Sequence, residues 1–179
     1  MIATLGRGPP PAGYHPRVLV RPAELGDAAA IRAIYNAEVT GGTNTFDLVP
    51  WTVADQLAWL DRHQGAHPAV VAVDAGGAVA GFGSLSPFRD RPAYSTTVED
   101  SVYVSARHRG QGVGRTILEE LVRLAAEHGF HAVIARIVGH NEVSIGLHRA
   151  CGFELVGVER EVGRKHRQWL DVVELELLL

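Results

Sequence analysis

The apolar positions of this chain change period several times, and each change marks an element. Arg17 to Arg21 (RVLVR) alternates with period two and predicts a short strand that Pro22 ends. From Ala28 to about Val39 the residues Ile31, Ile34 and Tyr35 share one helical face, and Asp27 stands where a cap belongs. After the loop GGTNTFDLVP, Thr52 and Asp55 have capping-box spacing and open a second helix through Leu57 and Leu60. Ala69 to Val73 (AVVAV) and Ala78 to Leu85 are strands joined by the turn-forming Asp74 to Gly77, hence a hairpin. An Arg- and Pro-containing loop leads to a strand at Thr96 to Val104, and a glycine-rich stretch follows from Arg107 to Gly114. Arg115 to Glu127 is strongly amphipathic, with Ile117, Leu118, Leu121, Val122 and Leu124 inward and Gly129 closing the helix. Ala132 to Val138 (AVIARIV) is nearly all apolar, as a central strand buried on both faces should be. A short helix from Asn141 to about Ala150, ended by Gly152, precedes strands around Glu154 to Arg160 and Trp169 to Leu178.

The order β α α β β β α β α β β predicts an α/β fold: a mixed sheet with helices on both faces. The first sixteen residues, rich in Gly and Pro and without an apolar core of signal-peptide length, are expected to form a disordered arm (1–16) before one domain (17–179). No apolar run approaches a membrane span, so no membrane partner is expected. At 46% hydrophobic and 21% charged residues the chain can bury a substantial core. Its net charge of −3 weighs against nucleic acid as a partner. One cysteine, Cys151, leaves no intramolecular disulfide and no thiolate cluster, and suits a reducing cytoplasm; it reads as a small buried hydrophobe. The nine histidines have no metal-ligand spacing, so no metal is expected.

The candidate chemistry lies where the strand ending Val102-Tyr103-Val104 runs into Arg107-His-Arg-Gly-Gln-Gly-Val-Gly114 and a helix. Glycines let the backbone approach a ligand, and a helix N-terminus offers N–H groups and a favourable dipole to anions. Arg107, Arg109 and Arg115 add positive charge, and together these features predict a pyrophosphate cradle. A Walker loop would end in Gly-Lys-Ser/Thr, but here Gly114-Arg115-Thr116 stands. A dinucleotide fold would carry its glycines on the first strand of a parallel sheet, so that reading also fails.

At these residues the chain resembles the GCN5-related N-acetyltransferase (GNAT) superfamily, whose acyl-CoA signature is matched by Arg109-x-x-Gly112-x-Gly114. More narrowly it is similar to phosphinothricin and methionine sulfoximine acetyltransferases. The shared blocks include Ile34-Tyr35-Asn36, Thr45-Phe46-Asp47, Arg91-Pro-Ala-Tyr94, Thr97-Val-Glu99, Ser101 to Val104, His148-x-x-x-Gly152-Phe153, Arg160 to Lys165, and Trp169-Leu-Asp171.

The resemblance implies a central, mostly antiparallel sheet of about seven strands flanked by about four helices, with a bulged fourth strand splayed from the fifth. It implies acetyl-CoA as co-substrate, bound by Val102, Tyr103, Val104, Arg109, Gly110, Gln111, Gly112, Val113, Gly114 and Arg115, with Asn141 and Ser144 from the next helix. Backbone near Val102 would polarise the thioester carbonyl. An amine must lose a proton before it attacks, and the resemblance gives that base role to Glu99. Asn141, Ser144 and His148 share a helical face. His148 stands where many GNAT relatives have a tyrosine that protonates the departing thiolate, so it is a candidate acid, relay or cofactor-positioning residue. Phe46, Arg89, Arg91 and Tyr94 are implied near the substrate, with Val162 and Gly163 in a substrate-side segment that contacts a dimer partner. The expected function is acetyl transfer to the amino group of a small amino-acid-like substrate, with a homodimer in the cytoplasm. Acetylation of protein N-termini, lysines or other small amines, and acyl-CoA sensing without catalysis, remain open at this point.

Overall fold

The computed structural model describes residues 18–179. The expected arm, and Arg17 of the first expected strand, lie outside the described residues. Seven strands form one sheet in the order β1-β2-β3-β4-β5-β7-β6: β1 Leu19–Pro22, β2 Ala69–Val73, β3 Val79–Pro87, β4 Thr97–Val104, β5 Ala132–Val138, β6 Glu154–Lys165 and β7 Gln168–Leu178. Every pairing is antiparallel except β4 with β5. Four α-helices complete the described fold: α1 Ala28–Gly41, α2 Val53–Arg62, α3 Val113–Glu127 and α4 Glu142–Ala150.

Strand alternation divides the core in two. Val70, Ala72, Val98, Val133, Ala135, Val173 and Leu175 face α3 and α4, meeting Ile117, Leu118 and Leu121 of α3. Ala69, Val71 and Phe82 face α1 and α2, meeting Ile31, Tyr35, Val39 and Trp59. Gly81 and Gly83 of β3 allow α3 to seat closely, because a Cβ at either would press on Ile117. Leu121 is fully buried, and truncating it to alanine should cost about 2–5 kcal/mol.

Several expected boundaries shift for physical reasons. Pro22 does end β1, as its last residue, a place open to it because β1 is an edge strand. Asp27 occupies the N-cap of α1 without a side-chain capping bond; its carboxylate accepts from Arg21 at 2.7 and 2.9 Å and from the Glu24 N–H. The Thr52–Asp55 capping box is present on α2, whose buried positions are Gln56 and Trp59, while Leu57 is exposed. Asn141 is the N-cap of α4, accepting from the Ser144 N–H, and not its first helical residue. Strand β6 continues five residues past Arg160 to Lys165, across an irregularity between Glu159 and Gly163. Cys151 is half-buried and packs on the α3/α4 core.

One interruption positions the site. β4 and β5 pair over only Thr97–Glu99 and Ala132–Ile134, then part, although β4 runs on to Val104 and β5 to Val138. The expected splay is therefore present, but the expected bulge is not. β4 keeps unbroken register with β3 from Val98 to Val104, so no inserted residue makes the opening.

Candidate active site

Past Glu99 the β5-facing edge of β4 has no strand partner. The Thr96 carbonyl accepts from the His131 and Ala132 N–H groups, so alternation turns the backbone of Val98, Asp100, Val102 and Val104 toward β5. The carbonyls of Ser101 and Tyr103 lie instead against β3. Thus Val102 carries open backbone groups, and Val104 an open N–H, into the splay. Tyr103 does not: its backbone serves β3, and its ring lies in the α1/α2 core, stacked on Phe82 and edge-on to Tyr35.

At the end of β4 the chain turns through a 3-10 segment, Ala106–His108, into the glycines. Gly110 and Gly112 have φ of 69° and 82°, a left-handed backbone that L-residues adopt at a cost. Gly112 occupies the N-cap of α3 with no side-chain cap, so the first N–H groups of α3 keep no capping partner. Gly114 packs against Leu147 of α4 and Val104 of β4, where a Cβ would come within 3.3–3.5 Å. Val113 anchors the turn in the core. Gln111 donates to the Arg107 carbonyl, and Arg115 is exposed and paired with Glu119.

Arg109 points back across the mouth of the splay. Its guanidinium donates to the Val104 carbonyl and pairs with Glu38 of α1. The other oxygen of Glu38 accepts from Asn44, whose amide oxygen accepts from Asn141 at 3.2 Å. A chain of polar contacts therefore joins the glycine loop, α1, the loop after it and the α4 cap. Glu38 and Asn44 have no motif of their own, and only the folded arrangement reveals them.

Glu99 and His148 lie on opposite faces of the sheet. Glu99 alternates with Val98 and shares the Tyr103 face, beyond the end of the α1/α2 cover. Burial pushes its carboxyl up from the ordinary range, and the Arg136 guanidinium opposes that rise. His148 lies on the α3/α4 side. Its Nδ1 donates to the Ser144 carbonyl at 2.8 Å and its Nε2 meets Asp100 Oδ2 at 3.1 Å, so both ring nitrogens are engaged. Burial would lower the imidazolium pKa, but the Asp100 carboxylate and Ser144 carbonyl outweigh it and raise it. Asp100 follows Glu99 directly, and no motif in the sequence singles it out.

The substrate-side residues fall in two places. Phe46 lies on Gly163 so closely that a Cβ there would overlap the ring. Next to it buried Lys165 donates to the Thr45 and Glu38 carbonyls. Val162 is exposed. Arg89, Arg91 and Tyr94 sit in the loop that enters β4, at the opposite end of that strand from the glycines. The Arg89 guanidinium lies over the Phe88 and Tyr94 rings, 4.6 and 5.5 Å from their centroids, and Arg91 is exposed.

A slot edged by open strand backbone, ending at uncapped helix N–H groups, suits a pantetheine amide chain followed by a pyrophosphate. The class so defined is an acyl-CoA-dependent transferase, and comparison with known proteins agrees. The acetyltransferase (GNAT) family profile matches residues 30–153. The L-methionine sulfoximine/L-methionine sulfone acetyltransferase of Pseudomonas paraeruginosa is 39% identical, covering 89% of this chain and 94% of its own length. The phosphinothricin N-acetyltransferase of Streptomyces viridochromogenes is 38% identical, over 87% of this chain and 84% of its own. The crystal structure of a GNAT superfamily phosphinothricin acetyltransferase from Sinorhizobium meliloti, in complex with AcCoA, superposes with a TM-score of 0.87 at 40% identity, covering 90% of this chain and 88% of that one. The chain belongs to the GNAT acetyltransferase family. Its activity is acetyl-CoA-dependent N-acetyl transfer. No helix among the described residues is long and apolar enough to cross a membrane.

Proposed function

We propose that this enzyme acetylates the amino group of a small amino acid of the methionine sulfoximine or phosphinothricin type. The amine attacks the thioester directly, without an acyl-enzyme. The observation that carries the reading is the half-buried Glu99, set at the last β4–β5 pair where the slot opens. A carboxylate with a raised pKa is suited to take a proton from an ammonium group near neutral pH. The open N–H groups of Val102 and Val104 would hold the pantetheine and polarise the thioester carbonyl. The uncapped turn of α3, with Arg109 and Arg115 beside it, would hold the pyrophosphate.

On the acceptor side, Phe46 and Gly163 would form one wall. Arg89, Arg91 and Tyr94 would meet the substrate's carboxylate from the other end of β4, since arginine suits bidentate anion capture. We assign His148 to positioning, because neither ring nitrogen is free to meet a thiolate. A homodimer fits the long edge strand β6, with Leu155, Val156, Val158 and Val162 exposed beside Trp169 of β7. The lone cysteine suits the cytoplasm. Resistance to a herbicide-like amino acid would be one outcome of the activity.

A panel of amines with acetyl-CoA, followed by thiol release, tests the reading. Methionine sulfoximine, methionine sulfone and phosphinothricin should outpace peptides with a free N-terminus and free polyamines. Preference for the peptides would overturn it.

A further inference from the structure

The half of the sheet beyond α1 and α2 carries a charge arrangement that no motif foretells. Val133, Ala135 and Ile137 of β5 pack under α3 and α4, so Ile134, Arg136 and Val138 face the other way. Helices α1 and α2 cover β2 to β4 on that side and do not reach over β5, β7 and β6, where Ile134, Val138 and Val172 are nevertheless buried. Glu99 is in register with Ile134, and Arg136 is the next residue along β5 on the same face. Arg136 pairs with Glu159 of β6 and, at 3.9 Å, with Glu174, its register partner on β7.

We propose that Arg136 is a positioning residue for the reaction: clamped by Glu159 and Glu174, its guanidinium is held beside Glu99 and keeps that carboxylate in its proton-accepting form. This rests on the reading of Glu99 as the base. A clamped cation has few rotamers to lose and no shift of its own near neutral pH, so it acts as a fixed charge. The other charged groups that act on Glu99 most strongly are carboxylates. Asp100 neighbours it on β4, Glu159 and Glu174 face it from β6 and β7, and Glu176 lies opposite Ile134 on β7. Without Arg136 these carboxylates and the burial of Glu99 all act in one direction, favouring its protonated form. The base would then be occupied over more of the neutral range and would accept fewer protons from the substrate ammonium.

The test is a carbon NMR titration of the glutamate carboxyls in the full chain, with the Glu99 signal assigned by its loss in Glu99→Gln. In Arg136→Gln the Glu99 midpoint should move up by about half to one pH unit, and Arg136→Lys should restore most of it. The acid limb of kcat/KM should move by the same amount, with acetyl-CoA affinity unchanged and the two enzymes equal at high pH. A midpoint in Arg136→Gln within about 0.2 unit of the native one overturns the role of Arg136, whatever Glu99 does. If the midpoint moves but Glu99→Gln turns over at the native rate, the reading of Glu99 as base fails instead. Arg136 is solvent-accessible at the sheet surface, so its replacement leaves the core intact.

Discussion

His148 Nε2 lies 3.1 Å from Asp100 Oδ2, and the two side chains are 3% and 2% exposed. The other ring nitrogen faces the Ser144 carbonyl, which can only accept, so Nδ1 carries a hydrogen. The contact with Asp100 is then a hydrogen bond only if the pair holds one more proton, on the ring or on the acid. This fastens α4 to β4 where β4 has left β5.

The pair makes stability depend on pH with a definite sign. His148 titrates above its ordinary 6.5 in the folded protein, so its contribution is complete below that value and fades as pH rises through the folded pKa. Asp100→Ala should cost about 3 kcal/mol in denaturant melts near pH 6, because it leaves a buried partner uncompensated. Asp100→Asn, which can donate to a neutral imidazole, should cost less and flatten the pH slope. His148→Ala should raise the Kd for acetyl-CoA and spare kcat at saturation; a kcat loss with Kd unchanged would restore His148 as an acid.

Glu99→Gln should lower kcat at pH 7 by roughly 10²–10⁴-fold with acetyl-CoA binding retained. The native acid limb should lie above the ordinary carboxylate range, since burial raises the Glu99 pKa, and should vanish in the variant. The deficit should shrink as pH rises and free amine accumulates. A pH-independent loss under about threefold would return Glu99 to the role of a surface acid.

Gly112→Ala forces a Cβ into a left-handed N-cap and should cost about 1 kcal/mol of stability. Gly114→Asp fits φ but sets a carboxylate against Leu147 and Val104, at the helix end meant for phosphate. Calorimetry on the folded Gly112→Asp, Gly114→Asp double variant should detect no acetyl-CoA binding. Native affinity there would remove the glycine loop from the cofactor site.

Arg109 is paired with Glu38, so a phosphate must compete with a carboxylate for it. Glu38→Gln should therefore tighten acetyl-CoA binding, by up to about fivefold, since a half-exposed pair contributes about 1 kcal/mol at most. Weaker binding in the variant would mean that Glu38 holds Arg109 ready.

The strand and helix order was legible because periods of two and 3.6 are strong signals in AVVAV and in Arg115 to Glu127. The glycine loop was legible because a positive φ and a close approach leave glycine as the only easy choice. What stayed hidden depends on distance in sequence. Asp100 meets His148 from 48 positions away, and Arg109 meets Glu38 from 71. The continuation of β6 past Arg160 was obscured because Glu161 has a φ of 52°, a turn-like backbone held by its N–H donating to Asp171 at 2.7 Å. The missing bulge in β4 has another cause: the separation from β5 needs no extra residue, only an end to pairing after Glu99.

That early end of the ladder makes the slot an unfinished sheet. A ligand whose amides pair with Val102 and Val104 would become, for as long as it stays, a strand of the protein. The amide hydrogens of Val102 and Val104 should therefore exchange quickly in the free enzyme and slowly in the complex. The amides of Val98 and Glu99, residues already paired with both β3 and β5, should change far less. The cofactor would then act as a piece of secondary structure supplied from solution, and the melting temperature should climb with its concentration as mass action requires.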